Sequence, residues 1–256
     1  MVAALITVNA MDRKVERNPL FVVELVGLAG SGKTTLSQAL SQRQEKVLVG
    51  AELELRKLDH IPVFLGNVSA LLPMYLQRYR TGRWFTWDEL KSMAYLREWP
   101  RFLRQQAGFQ DTMILLDHGP VFKLATLDAF GPKRLSGPGF RHWWNEIIGQ
   151  WAKFLDLIIW LEAPDAVLIQ RINRRSQKHI VKGKSEPEAS KFLARYRGSY
   201  EQILGRLSTD GGPTVLQFDT SRMAIEQIVD DVVTACEARR HESLQSANTN
   251  ISAVDF

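Results

Sequence analysis

Cysteine is almost absent from this sequence, in which Cys236 is the single example among 256 residues. A lone cysteine excludes an internal disulfide framework and most zinc sites. Long hydrophobic runs are also missing, since no apolar stretch approaches the roughly 18 residues that a membrane-spanning helix needs. Residues 1–7 are too short, and lack the basic flank, for a secretory signal. These absences predict a cytoplasmic protein with no membrane association.

Internal repeats, low-complexity tracts and the Asn-Lys-x-Asp signature of guanine binding are missing as well. What the chain does contain is a regular alternation of β-type and helical patterns. Since helical segments separate the strands, we predict an α/β fold: a three-layer α/β/α sandwich with a five-stranded, mainly parallel sheet. Its ligand should bind at the carboxyl ends of the strands. The predicted strands cover residues 21–26, 46–49, 112–116, 157–161 and 214–218.

The segment Gly-Leu-Ala-Gly-Ser-Gly-Lys-Thr-Thr, residues 27–35, directly follows the first predicted strand and opens a helix. It matches the phosphate-loop pattern G-x-x-x-x-G-K-[ST], in which glycines let the backbone approach phosphate closely. Lys33 would reach the β- and γ-phosphates, and the Thr34 hydroxyl would ligate Mg²⁺. ATP and Mg²⁺ are therefore the predicted cofactors. The predicted nucleotide-binding residues are Gly27, Ala29, Gly30, Ser31, Gly32, Lys33, Thr34, Thr35, Asp219 and Thr220.

The chain is predicted to form one domain built around the phosphate loop, residues 20–240, between a leader (1–19) and a flexible tail (241–256). Within the domain, an aromatic and basic segment at about 71–107 is interpreted as a helical cap over the acceptor side. A polar segment at about 171–190 has the composition of a mobile lid. A glycine- and proline-rich loop at 131–139 precedes a predicted helix at 140–154.

Acidic residues follow two of the predicted strands. Asp117 ends the third strand, where it would hold Mg²⁺ through water or accept a proton from an attacking hydroxyl. The sequence leaves these two roles open, beside the alternative that Asp117 only begins a turn. Glu52, after the second strand, is a candidate base, with Glu54, Asp59 or a solvated loop as alternatives. His118 is interpreted as structural.

Two arginines are predicted to act on the transferring phosphoryl group. Arg171 and Arg175 lie four residues apart and share a helical face, and guanidinium groups match phosphate oxygens. The alternative is an exposed basic helix. After the last strand, Asp219 and Thr220 would contact the nucleotide base, cap the final helix, or do both.

Together, these motifs resemble those of the P-loop nucleoside and nucleotide kinase superfamily, in particular its thymidylate kinase and deoxynucleoside kinase branch. The similarity covers roughly residues 21–238. It rests on the phosphate loop, Asp117, the arginine-bearing segment 171–175 and the turn 219–221. The resemblance implies an α/β/α sandwich of P-loop NTPase type, Mg·ATP as the donor and phosphorylation of a small molecule. In that branch an arginine usually follows the strand-end acid, where this chain has His118.

We therefore predict an ATP-dependent kinase acting on a small-molecule acceptor, most simply a nucleoside or nucleotide, with Lys33, Asp117, Glu52, Arg171 and Arg175 at the reaction centre. Asp117 would join Thr34 as a metal ligand. The alternative is a nucleotide-dependent regulatory or nucleic-acid-binding protein, including a polynucleotide 5′-hydroxyl kinase. The formal charge of +5 suits either anionic partner. The assembly stays open between a monomer and a homodimer.

Overall fold

A computed structural model describes residues 20–43, 47–50, 85–106, 113–131, 138–209 and 211–252. The strands are β1 (Phe21–Gly27), β2 (Val47–Gly50), β3 (Met113–Asp117), β4 (Leu157–Glu162) and β5 (Thr214–Asp219). The helices are α1 (Lys33–Arg43), α2 (Trp87–Gln106), α3 (Pro120–Phe130), α4 (Pro138–Ala152), α5 (Asp165–Arg174), α6 (Glu186–Leu207) and α7 (Ile225–Ser252).

The five strands form one sheet in the order β2-β3-β1-β4-β5, and every neighbouring pair is parallel. The predicted five-stranded parallel sheet is thereby confirmed, with strand bounds that differ from the prediction by about one residue. The first strand in the sequence lies at the centre of the sheet. The phosphate loop after β1 and Asp117 at the end of β3 consequently share one edge.

Helices cover both faces of the sheet, which confirms the three-layer architecture. On one face, Leu36 and Leu40 of α1 pack with Ile228 and Val232 of α7 against the sheet. The other face is larger and buries side chains of α2 through α6. Every residue of β1 is buried, as expected for a strand with helices above and below it.

Local sequence signals explain where two helices of the larger layer begin. Pro120 occupies the first turn of α3, where its missing N–H costs no hydrogen bond. At the start of α6, Ser185 and Glu188 form a reciprocal capping box, in which the Ser185 hydroxyl donates to Glu188 Oε2 at 2.7 Å. Helix α3 follows the end of β3 closely and so begins at the sheet edge that carries the phosphate loop.

Helix bounds depart from the sequence prediction at three places. Helix α7 continues to Ser252, where a tail was predicted from 241; the extension contains no glycine or proline to end the helix. Helix α4 begins at Pro138 instead of 140 and ends at Ala152 instead of 154. Of the predicted cap, residues 87–106 form the single helix α2, and residues 71–84 lie outside the described residues.

Candidate functional site

The phosphate loop connects β1 to α1 through three glycines with positive φ. Gly27, Gly30 and Gly32 have φ values of 152°, 89° and 99°. A Cβ atom on Gly27 would lie 2.4 Å from the Leu161 carbonyl oxygen, and one on Gly30 would lie 3.0 Å from that of Leu168. Only glycine fits these two positions, and the backbone can therefore curl tightly at the end of the sheet.

The Lys33 side chain folds back across the loop. Its ammonium group donates to the carbonyl oxygens of Gly27 at 2.7 Å and Leu28 at 3.2 Å. Burial lowers the pKa of Lys33 to about 8, with the Arg175 charge acting in the same direction and the Asp117 charge opposing both. Lys33 is therefore a positioned, partly desolvated cation within electrostatic range of Asp117 and Arg175.

The remaining predicted loop residues lie between the glycines or on the first turn of α1. Thr34 and Thr35 are exposed at the helix N-terminus, and Ala29 is half-buried. Ser31 is buried, and its hydroxyl oxygen has no hydrogen-bond partner in the described part of the chain. A buried hydroxyl inside a glycine-rich loop is an orphaned group of the kind that a bound anion would satisfy.

Asp117 ends β3 directly beside β1, where it pairs in register with Leu25. Within the described ranges, its buried oxygen Oδ1 accepts no hydrogen bond. His118 Nδ1 lies 3.8 Å from that oxygen. Asp117 and Lys33 therefore lie at the same edge of the sheet, as predicted. The other predicted acids, Glu52, Glu54 and Asp59, lie outside the described residues.

Glu24 is a polar residue of this region that the sequence analysis did not single out. Its carboxylate is fully buried and accepts hydrogen bonds from the backbone N–H groups of Val121 at 2.9 Å and Phe122 at 3.1 Å. Burial raises its pKa to about 8 against the lowering effect of these two bonds. An acid inside the apolar run 21–26 was the signal that could have revealed it.

Arg171 joins the phosphate loop to the turn after β5. Its guanidinium donates to the Gly30 carbonyl oxygen at 3.2 Å, and to the Thr220 hydroxyl and carbonyl oxygens, each at 2.9 Å. The prediction had Arg171 and Arg175 contact one anion together, whereas in the structure Arg171 binds oxygens of the protein itself. Arg174 and Arg175 are exposed at the carboxyl end of α5.

The predicted lid, beyond α5, is a turn held by its own backbone. The N–H groups of Lys182 and Lys184 donate to the carbonyl oxygens of His179 and Val181. Val181 is buried in the core, and its N–H donates to His179 Nδ1 at 3.2 Å. The pKa of His179 is lowered by burial, then by Arg175 and Lys33, which places this turn within electrostatic range of the phosphate loop.

A cavity of about 360 Å³ opens beside the loop and extends to the turn after β5. Its size lies within the range of small-molecule sites in proteins. Its lining combines cationic side chains with apolar ones. The lining residues are Gly30, Gly32, Thr35, Arg171, Arg174, Arg175, Thr220, Met223, Ile225 and Ile228.

The two residues predicted for the base-side turn behave differently. Thr220 lines the cavity and is fixed by its N–H and hydroxyl, which both donate to the Glu162 carbonyl oxygen. The Asp219 carboxylate instead accepts hydrogen bonds from the N–H and hydroxyl of Ser221, which lower its pKa. Asp219 therefore shapes the turn before α7, while its predicted contact with the base and its predicted cap of the final helix stay predictions.

The donor set suits a magnesium nucleotide better than a free metal ion. Among the described residues, no group of three or more His, Cys, Asp or Glu side chains could hold a metal. Mg²⁺ commonly takes one or two protein oxygens together with phosphate oxygens and water. The Thr34 hydroxyl and Asp117 are the protein oxygens predicted for this role, and the glycine loop with its unpartnered Ser31 hydroxyl lies beside Thr34.

Several solved kinase structures resemble this chain in fold. Deoxyadenosine kinase from M. mycoides, solved with bound dATP, is 14% identical over 83% of this chain and 97% of its own, with a TM-score of 0.46. Thymidylate kinase from Candida albicans is 16% identical over 86% and 92%, with a TM-score of 0.49. Shikimate kinase from Bacteroides thetaiotaomicron is 15% identical over 86% and 99%, with a TM-score of 0.44. At these identities the likeness concerns the fold alone.

No protein-family model and no curated protein matches the chain. The sheet order, the two helical layers and the loop after the central strand define the class of the molecule as a P-loop α/β protein. No helix within the described ranges has the length and apolar character to span a bilayer.

Proposed function

We propose that this protein is an ATP-dependent phosphotransferase that phosphorylates a small-molecule acceptor, with a nucleoside or nucleotide as the first candidate. The observation that carries the proposal is the continuity of two features. The glycine loop with Lys33 forms an anion cradle, and the adjoining cavity leads from it to apolar side chains at Met223, Ile225 and Ile228. A triphosphate and a flat base require this succession of polar and apolar surroundings.

When bound, Mg·ATP would supply the phosphoryl group. The loop N–H groups and Lys33 would bind the phosphate chain, and Thr34 would ligate Mg²⁺. Arg171 would act mainly as a brace that keeps the loop and the Thr220 turn at a fixed spacing, since its bonds are to Gly30 and Thr220. Arg175, exposed and within electrostatic range of Lys33, would neutralise charge on the migrating group.

The acceptor would approach from the side of β3. Asp117 stands at that end of the sheet, and its unpartnered Oδ1 can accept a hydrogen bond from an acceptor hydroxyl or from a magnesium-bound water. Both roles remain proposals for the same oxygen, and Glu52 keeps its predicted role as the alternative base.

The decisive measurement has two parts. Calorimetry with Mg·ATP tests nucleotide binding, and ADP release is then followed with nucleosides, nucleotides, sugars and amino-alcohol antibiotics as acceptors. We expect micromolar-range binding on the scale of about −8 kcal/mol and ADP release dependent on one acceptor class. Folded Lys33→Ala protein should lose turnover; if it transfers phosphate as well as wild type, the proposal is wrong.

One observation favours a second candidate, a nucleotide-dependent nucleic-acid-binding protein. The segment 174–184 exposes five cations, Arg174, Arg175, Lys178, Lys182 and Lys184, without an acidic residue among them. Such a surface could grip a polynucleotide backbone, and its affinity would then fall steeply with salt. Binding of single- and double-stranded oligonucleotides at two salt concentrations separates the candidates, because a small-molecule kinase should bind neither.

A further inference from the structure

Glu24 lies on β1, the neighbour of β3 in the sheet, and holds the turn that follows Asp117 at the end of β3. It faces α3, because Val22 and Val26 on the same side of the strand pack into that layer. Its two oxygens accept the N–H groups of Val121 and Phe122, which would otherwise be unpaired at the helix N-terminus. A buried acid in this position fixes where α3 begins.

The same carboxyl group also limits the turn itself. A Cβ atom on Gly119 would lie 2.8 Å from Glu24 Cδ, a distance that real side chains do not adopt. Glu24 and Gly119 are therefore in direct contact, and the turn cannot move toward β1. Together, the contacts at Gly119, Val121 and Phe122 hold three of the four residues that follow His118.

His118 is the only non-glycine residue with positive φ in the described part of the chain, at 58°. Non-glycine residues rarely adopt positive φ, and they do so where surrounding contacts fix the backbone conformation. Its ring packs edge-on against Phe122, with ring centroids 4.6 Å apart. The backbone conformation directs the imidazole back to Asp117, with 3.8 Å between Nδ1 and Oδ1, while 44% of the His118 side chain stays exposed.

We infer that Glu24 is a positioning residue, which holds the 117–120 turn so that the His118 imidazole stands beside Asp117 and contacts the phosphate acceptor. This inference rests on the proposed function, because it names the acceptor-side contact of that reaction. The acceptor is expected to present a hydroxyl or phosphate oxygen, since imidazole and carboxylate offer a donor and an acceptor of hydrogen bonds side by side. Glu24 itself is fully buried and touches no substrate.

The first experiment tests the clamp without any reaction. Glu24→Leu keeps an apolar core and removes both hydrogen-bond acceptors, whereas Glu24→Gln keeps the side-chain length and one acceptor. Gly119→Ala disturbs the same contact from the other side, and Gly198→Ala on α6 is the matched control because its Cβ would meet nothing within 4 Å. NMR of the His118 ring should show large shifts in Glu24→Leu and Gly119→Ala, smaller shifts in Glu24→Gln and none in the control.

An unchanged His118 ring spectrum in folded Glu24→Leu protein would overturn the positioning role. This outcome is independent of ATP binding and turnover. It therefore remains informative if wild-type protein binds no Mg·ATP, a result that would instead defeat the proposed function and, with it, the acceptor contact of His118.

The second experiment tests His118 with ADP release from Mg·ATP, using a mixture of deoxynucleosides and their monophosphates as probe acceptors. His118→Gly relieves the positive φ, so the variant should be at least as stable as wild type. We expect kcat/KM for the acceptor to fall at least about tenfold while the Kd for Mg·ATP changes less than about twofold. His118→Asn, which tolerates the same backbone but lacks the ring, should behave alike.

Retention of wild-type kcat/KM in stable His118→Gly would refute the acceptor contact. Equal losses of acceptor turnover and nucleotide affinity would also refute it, because the turn would then act on the whole site. If the wild type binds Mg·ATP yet releases no ADP with these probes, the nucleoside acceptor class is excluded and His118 loses its assigned partner.

Discussion

Lys33 anchors the phosphate loop through two hydrogen bonds, and its burial favours loss of its positive charge. Its pKa is lowered to about 8, chiefly by burial. In the free protein the fraction of charged Lys33 therefore falls as pH rises through about 8. A phosphate cradle depends on this cation, so nucleotide binding should respond to pH well below the usual titration range of lysine.

We predict that the affinity for Mg·ATP is constant below pH 7 and weakens above pH 8, by a factor approaching about tenfold per pH unit. Isothermal titration calorimetry between pH 6.5 and 9.5 measures this dependence. The matched variant is Lys33→Ala, whose weaker binding should not vary over that window. A wild-type affinity that stays flat to pH 9.5 would show that the ammonium does not contribute.

Arg175 is the exposed arginine to which we assign the substrate phosphate, whereas Arg171 is engaged with Gly30 and Thr220. Arg175→Ala should lower kcat by about 10²-fold or more, as for loss of one charge-stabilising donor, with a smaller effect on Mg·ATP affinity. Lys178→Ala removes an exposed cation from the same segment and is the control. Steady-state kinetics and calorimetry compare the two variants. Equal effects would contradict a specific role of Arg175 and mean that the reaction responds only to the net positive charge of the segment.

At the scale of elements, the phosphate loop depends on helix α5 as well as on its own glycines. Gly30 packs against α5, where a Cβ atom would lie 3.0 Å from the Leu168 carbonyl oxygen. The Arg171 side chain of the same helix donates to the Gly30 carbonyl oxygen. The loop is therefore held from two directions by one helix, and its shape should be sensitive to a single added methyl group.

Gly30→Ala should lower the free energy of unfolding by roughly 1–3 kcal/mol, because alanine is strained at a φ of 89° and crowds Leu168. It should also weaken Mg·ATP binding. Gly205→Ala on α6, where a Cβ meets nothing within 4 Å, should stabilise the protein by up to about 1 kcal/mol. Urea denaturation measures both changes in the free energy of unfolding. A Gly30→Ala protein as stable as wild type would contradict the loop geometry.

The sequence predicted the elements well where its signals were local and periodic. The five strands and the phosphate loop followed from apolar runs and from the spacing of Gly27, Gly32 and Lys33. The sequence could not show that Arg171 turns to protein oxygens or that Glu24 caps α3, because each contact joins residues distant in the chain. Helix α7 ran past its predicted end because alanine-, serine- and asparagine-rich segments resemble loops in composition but contain no helix breaker.

For the whole molecule, the buried acids tie stability to pH. Burial raises the pKa of Glu24 to about 8 and that of Asp156, at the opposite end of the sheet, to about 6. A raised folded-state pKa means that the unfolded chain loses its proton first as pH increases. Stability from these groups is therefore complete below their unfolded pKa values and is lost as pH rises through about 6 and about 8.

We predict that the free energy of unfolding decreases between pH 4.5 and 8, with Glu24 contributing a slope of at most about 1.4 kcal/mol per pH unit. Glu24→Gln should flatten this part of the profile, whereas Glu226→Gln, a change at an exposed position of α7, should leave it unaltered. Chemical denaturation at several pH values provides the comparison. Parallel wild-type and Glu24→Gln profiles would mean that Glu24 ionises normally in the folded protein.

The central place of β1 has a consequence for how the protein is made on the ribosome. β1 leaves the exit tunnel first, but its two partners are β3 and β4, the second of which ends at Glu162. The Leu161 carbonyl that packs against Gly27 is synthesised late, and Arg171 later still. A nascent chain therefore cannot complete the contacts of the phosphate loop until Arg171 has been synthesised, which leaves the early apolar strand in need of protection until then.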